Sequence, residues 1–262
     1  MQNGKDDSYV NILIPVYNNL DFTLKCITSI LIDKQPIPYQ ITIIDNGSTD
    51  GTTEWVRKFQ GDRAIYNEEN LGWVKALNQG IKKTKGDFVV FLNNDVEVGS
   101  GWLQKLIGPL KHSDIGTCGP IGSNDHDWQY FGKVRKNFPQ LDLPEFEDPK
   151  DVDGCNKILE EKYGNKFLKI HGMLAFFAVA FRRETIERVG LLDERFGVGL
   201  GDDDDYARRL EQKDLGLALA LSCYVLHYSQ TTFKQLYNDK ELKALQARNY
   251  NLLKGKYPGR YK

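Results

Sequence analysis

The sequence predicts an α/β fold, a Rossmann-like doubly wound, mostly parallel sheet with helices on both faces. Three observations carry that prediction. The runs VNILIPV (10–16) and FVVFL (88–92) are almost wholly apolar, as expected of strands buried on both faces of a parallel sheet. These runs alternate with helical segments in the order β-α-β-α-β-α-β. Two strand runs, QITII (40–44) and FVVFL, stop at polar motifs, Asp45-Asn46-Gly47-Ser48-Thr49-Asp50-Gly51 and Asn93-Asn94-Asp95. Ligands on such sheets bind at the carboxyl ends of the strands, so Asp45 and Asp95 become neighbours.

In chain order, 10–16 is the first strand, and Pro15 marks where ladder pairing stops. Residues 21–31 read as a helix, 40–44 as a second strand, 52–59 as a helix and 63–66 as a short third strand. Residues 72–84 form a helix with Val74, Leu77 and Ile81 on one stripe. A fourth strand, 87–92, precedes a helix at 102–110. From 123 to 169 the periodicity collapses. The segment holds Trp128, Tyr130, Phe131, three prolines and an acidic stretch, which predicts an irregular but ordered, substrate-facing excursion. Order returns with a strand at 173–181, helices at 183–189 and 204–212, and a last strand at 216–225 that leads to His227. The tail, 240–253, reads as an amphipathic helix.

The 262 residues carry a net charge of −1, which argues against a generally nucleic-acid-binding surface. From 239 onward seven Lys/Arg face only Asp239 and Glu241. That tail is a solvated helix face, or a contact for a membrane surface or a phosphate-rich acceptor. Cys26, Cys118, Cys155 and Cys223 form no C-x-x-C pair and read as reduced thiols. The polar start MQNGKDDSYV does not resemble a signal peptide. No apolar run approaches the ~20 residues of a membrane span. The expectation is a soluble, cytoplasmic protein, with peripheral membrane attachment left open.

The run Gly201-Asp202-Asp203-Asp204-Asp205 is the strongest chemical signal. Four adjacent carboxylates repel one another, and packing gives no reason to collect them. They become useful where a metal, a diphosphate or a helix N-terminus shares the space. Together with Asn93-Asn94-Asp95 they suggest metal-assisted chemistry on a phosphorylated substrate.

The wording of these motifs resembles the family-2 glycosyltransferases with the GT-A fold, which use nucleotide sugars. ILIPVYNN and IIDNGSTDGT are similar to the family's first two strand–turn units. NLGWVKALNQGIKKTKGDFVVFLNNDVEV resembles the stretch that ends in its Asp-x-Asp metal signature. LLDERFGVGLGDDDDYARRL looks like its acceptor segment and catalytic Glu-Asp motif, and HYSQTTF like its terminal His region. The likeness spans about 10–115 and 170–232. It implies one GT-A domain over 1–232, with a nucleotide-binding half (about 8–122), an acceptor-side half (about 123–232) that carries the insertion, and a basic helical tail at 233–262.

The resemblance also implies roles. Pro15, Val16 and Tyr17 line the nucleobase and ribose pocket, and Asp45 accepts a hydrogen bond from base or ribose; the alternative for Asp45 is a turn residue capping Ser48 or Thr49. Asn70, Gly72 and Lys75 approach the nucleotide, with a bare surface position as the alternative for Lys75. Asp95 is a ligand for Mn²⁺ or Mg²⁺ on the diphosphate. The first signature position here is Asn93 rather than Asp, which adds no charge and leaves Asn93, with Asn94, on the donor side. Asp203 is the general base, a register that the Gly-Gly-Glu-Asp-Asp-Asp segment of β-1,4-galactosyltransferases also resembles. His227 is a further metal ligand or diphosphate contact, or a structural residue. Asp202, Trp128 and His171 fall on the acceptor side.

The implied activity is inverting transfer of a sugar from a UDP, dTDP or GDP donor to a glycan or lipid-linked hydroxyl. The rivals are a degenerate sugar- or nucleotide-binding module, a transferase acting on a polyanion such as modified nucleic acid, and a nucleotidyltransferase. The last begins with a Gly-rich, Arg-containing loop where this chain reads PVYNNLDF.

Overall fold

A computed structural model describes residues 9–34, 36–125, 127–229 and 236–261. The amino-terminal residues 1–8 and residues 230–233 of the HYSQTTF motif lie outside the described residues. The first half runs β1 (Val10–Val16), α1 (Leu20–Ile32), β2 (Tyr39–Asp45), α2 (Thr52–Gln60), β3 (Ile65–Tyr66), α3 (Trp73–Lys83) and β4 (Phe88–Leu92). Then come β5 (Val96–Val98), α4 (Trp102–Ile107), β6 (Ile115–Gly122), α5 (Phe131–Asn137), α6 (Val152–Tyr163) and β7 (Phe167–Ile170). The chain continues through β8 (Ala178–Arg182), α7 (Arg183–Val189), α8 (Asp202–Glu211), β9 (Gly216–His227) and α9 (Asp239–Lys256).

Among the described residues nine strands form one sheet in the order β3-β2-β1-β4-β8-β6-β9-β5, with β7 also on β9. The β3-β2-β1-β4 part is parallel, as expected. Beyond it β8 is antiparallel to β4 and β6, β9 is parallel to β6, and β5 and β7 are antiparallel to β9. The apolar runs read as they do because both faces are covered. Leu13, Val89 and Phe91 point into a core shared with α3, α6 and α8. Ile12, Ile14, Val90 and Leu92 point into the opposite core, filled by α1 and α4. Each fully buried aliphatic side chain contributes roughly 1.5–3 kcal/mol.

Two strands escaped the sequence pattern. β6 is IGTCGPIG, whose glycines lack strand propensity, yet all eight residues are buried. They are there for space: a Cβ on Gly116 would lie 2.6 Å from Leu210, and one on Gly122 would lie 2.9 Å from Phe177. β5 is only three residues long. The 123–169 excursion is more regular than expected, since it contains α5, α6 and β7. Conversely, the strand expected from 173 begins only at Ala178. Before it, the Gln129 side chain takes both backbone groups of Ala175, donating to its carbonyl (3.1 Å) and accepting from its N–H (3.0 Å). Among the described residues no helix is long and apolar enough to cross a membrane.

A similar amide docks α6. The β6–β9 register slips between Pro120↔Ala220 and Ile121↔Tyr224, where Pro120 has no N–H to offer. Asn156, 1% exposed, donates to the Tyr224 carbonyl (2.8 Å) and accepts from the Tyr224 N–H (3.0 Å). Asn156→Ala leaves both Tyr224 groups buried and unpaired, and is expected to destabilise the fold by about 3 kcal/mol. Urea unfolding of the two proteins measures this, and a loss under about 1 kcal/mol contradicts it.

Candidate active site

The ends of β1, β2 and β4 open on a cavity of about 540 Å³. One wall is Pro15, Val16, Tyr17 and Asn46, followed by Asn70, Gly72 and Trp73. Asn93, Asn94, Asp95 and His227 form a second group, and Asp127, Trp128, Phe176 and Phe177 a third. The Leu200–Asp204 turn and, from α9, Gln246, Tyr250 and Leu253 also line it. The motifs at the two ends of the sequence therefore meet in one space.

Three expected site residues do not line this cavity. Asp45 is buried and spent on its own turn: Oδ1 accepts the Ser48 N–H (3.1 Å) and Oδ2 the Thr53 hydroxyl. Its neighbour Asn46 faces the cavity instead, its Oδ1 accepting from Asn67 (2.8 Å). Lys75 is exposed on α3, and His171 is exposed after β7. Gly72 is a position where glycine is required. Its φ is +83°, and a Cβ would lie 2.9 Å from the Gly197 carbonyl oxygen. The 70–73 loop thus rests directly on the segment that leads to the acidic run, and the Val74 N–H donates to that same carbonyl (3.1 Å).

Register explains the second group. β5 follows Asp95 directly and pairs with the end of β9, Val96 opposite His227. His227 Nε2 then lies 3.4 Å from Asp95 Oδ1 and 3.3 Å from Asn93 Nδ2. Its other nitrogen, Nδ1, is 2.8 Å from Asp127 Oδ2, and its ring stacks on Phe177 at 4.7 Å. Burial lowers the pKa of this imidazole, but the Asp127 and Asp95 carboxylates more than offset that and bring it up to about 9. Sequence reading did not find Asp127; it lies in the aperiodic segment, and only the fold brings it to His227. At that pKa both ring nitrogens carry protons at neutral pH, Nδ1 donating to Asp127 and Nε2 directed at Asp95, and a bound cation would displace the Nε2 proton. One carboxylate, one imidazole nitrogen and an amide suit a divalent cation such as Mn²⁺ or Mg²⁺. Among the described residues no cluster of three His, Cys, Asp or Glu could hold a metal unaided, so such an ion would need ligand oxygens to complete its shell.

The acidic run opens α8, and its four carboxylates divide into two pairs. Asp204 binds Arg208 (3.3 Å). Asp205, fully buried, binds Arg209 (3.0 Å), Lys256 and the Tyr257 hydroxyl (2.8 Å). Asp202 and Asp203 have no cation partner among the described residues. Asp202 is 4% exposed, and its Oδ2 has no hydrogen-bond partner among the described residues. Asp203 is partly exposed and lines the cavity. Burial, then the nearby carboxylates, raise the pKa of both: Asp202 up to about 6, and Asp203 well above the usual carboxylate range. Helix-start N–H groups pull the other way and are outweighed.

The glycosyl transferase family 2 model matches residues 11–190. Glycosyltransferase AglE of Haloferax volcanii is 28% identical over 116 residues, 42% of this chain and 38% of that protein. A crystal structure of GalNAc-T7 with UDP, GalNAc and Mn²⁺ superposes with a TM-score of 0.67 at 16% identity, covering 97% of this chain and 49% of that one. The mannosyltransferase PcManGT of Pyrobaculum calidifontis, in complex with GDP-Man and Mn²⁺, gives 0.58 at 16% identity, covering 97% and 65%. The chain spans less than two thirds of the length of each of these relatives. The two structural likenesses establish the GT-A fold expected from the sequence. With a single cavity that joins its motifs and a family model covering most of its length, the chain belongs to glycosyl transferase family 2.

Proposed function

We propose that the protein is an inverting, metal-assisted glycosyltransferase that moves one sugar from a nucleoside-diphosphate donor to an acceptor hydroxyl, in glycan or polysaccharide synthesis. One observation carries the reading. Two carboxylates without cation partners, Asp202 and Asp203, share a cavity with the Asp95–His227 pair. A sugar-binding module has no use for unneutralised buried charge, which costs stability unless chemistry uses it.

In this reading Asp203 takes the acceptor hydroxyl proton as that oxygen forms its bond to the anomeric carbon. The bond from that carbon to the diphosphate breaks on the opposite face, and the centre inverts. A raised pKa makes Asp203 a better base than an ordinary carboxylate. Asp202, on the preceding residue of the same helical turn, keeps negative charge beside it. Asp95 and His227 would hold a divalent cation, which neutralises charge on the departing diphosphate. Pro15, Val16, Tyr17, Asn46, Asn70 and Gly72 flank the nucleotide, and Trp128 offers an apolar face to a sugar. The Mn²⁺ and nucleotides in the two structural relatives support this reading.

Three outcomes test it. Asp203→Asn is expected to reduce transfer at least 100-fold with nucleotide binding nearly intact, and wild-type turnover sinks the base assignment. Asp95→Ala is expected to remove the Mn²⁺ dependence of nucleotide affinity in calorimetry; unchanged dependence refutes its ligand role. The third concerns pH. A carboxyl whose pKa is higher in the folded than in the unfolded chain keeps its proton where the unfolded chain has lost it. Stability is therefore lost as pH rises above the ordinary carboxylate range and through the raised pKa of Asp203. Asp203→Asn is expected to match wild type near pH 4 and to be more stable than it at neutral pH. Urea unfolding at both pH values checks this, and a less stable variant at neutral pH contradicts it.

A further inference from the structure

Asn249, in the middle of α9, is fully buried, yet its side chain serves backbone rather than core. Its Nδ2 donates to the carbonyls of Gly199 (2.8 Å), Leu200 (3.0 Å) and Phe196 (3.3 Å). Its Oδ1 accepts from the Arg248 guanidinium at 2.8 and 3.0 Å. The carbonyls belong to a turn with three consecutive positive φ values: Gly199 at +111°, Leu200 at +69° and Gly201 at +113°. Such a turn aims its carbonyls away from any helix or strand partner, and they need another donor. At Leu200 the Cβ also makes the left-handed conformation unfavourable. Gly201 caps α8, whose first residues are Asp202 and Asp203. The opposite side of the same segment touches Gly72. The orientation of the two carboxylates therefore depends on a turn that its glycines allow but that Leu200 opposes.

We propose that Asn249 is the positioning residue for the Asp202–Asp203 pair: its amide holds the 196–200 turn in its left-handed form and so aims the first turn of α8 into the cavity. This inference rests on the reading of Asp203 as the base. α9 lies outside the stretch matched by the family model, and nothing local to GVGLG identifies its partner, 49 residues away.

The test uses the full chain. Wild type is first assayed for release of nucleoside diphosphate from UDP-, dTDP- and GDP-sugars, and Asn249→Ala is compared on the sugar nucleotide that is turned over. Binding of the matching nucleoside diphosphate with Mn²⁺ is titrated in parallel to count folded sites. The expected result is a kcat lower by about 100-fold per folded site, with KM for the sugar nucleotide and binding stoichiometry within about threefold. A role in packing alone would lower the stoichiometry and leave kcat per folded site unchanged, and that result overturns the proposal. The second arm is a cycle with Leu200→Gly, which removes the Cβ that opposes the turn. In that background Asn249→Ala is expected to cost about tenfold less than in wild type. Strictly additive losses overturn the proposal, as does a double variant that fails to fold where Leu200→Gly alone folds. A wild type inactive on all three donors withdraws the functional reading itself, and this inference with it; an active wild type matched by Asn249→Ala withdraws only the inference.

Discussion

Two like charges held side by side, Asp202 and Asp203, are the constraint around which the second half of this molecule is arranged. Left to themselves they would separate, take up protons or collect cations. The fold prevents the first by placing them on consecutive residues of one helical turn, whose start is fixed by Gly201. It prevents the last by assigning the nearby cations elsewhere. Arg208, Arg209 and Lys256 bind Asp204 and Asp205 instead. Proton uptake remains, and it is the property that general-base chemistry exploits.

A second theme is how the irregular segments are held. Four buried amides bond main chain where ladders stop. Gln60 bridges Ile41 and Ile43, Asn78 binds both backbone groups of Leu192, Gln129 does so for Ala175 and Asn156 for Tyr224. Each gives a partner to main chain that no strand or helix pairs there, and each is costly to remove because the groups it serves are shielded from water. This is how the segment before β8 can leave the sheet, line the cavity and stay ordered.

What the sequence could reveal follows from where the information lies. β1, β2, β4 and the motifs at their ends were legible because burial on both faces leaves an unbroken apolar run, and because polar turns must follow it. The meeting of Asp95 with His227 was legible only through family resemblance, since β5 is too short to announce itself. β6 hides behind glycines chosen for space, and α6 behind an Asp-Gly start. Asp127 and Asn249 act across about 50 residues or more, and a lone polar residue in an aperiodic stretch or on a helix gives no local sign of such a partner. Asp45 shows the reverse: its motif is plain, but the structure commits its carboxylate to Ser48 and Thr53 and presents Asn46 to the cavity.

The central claim is that this cavity receives a nucleoside-diphosphate donor with a divalent cation. Thermal melting of the wild-type protein with UDP, dTDP, GDP, CDP and ADP, each with and without Mn²⁺, tests it directly, because a ligand that binds only the folded chain raises its melting temperature. The account predicts a clear rise with one nucleotide, larger when Mn²⁺ is present. No rise with any of the five, in either condition, would contradict it.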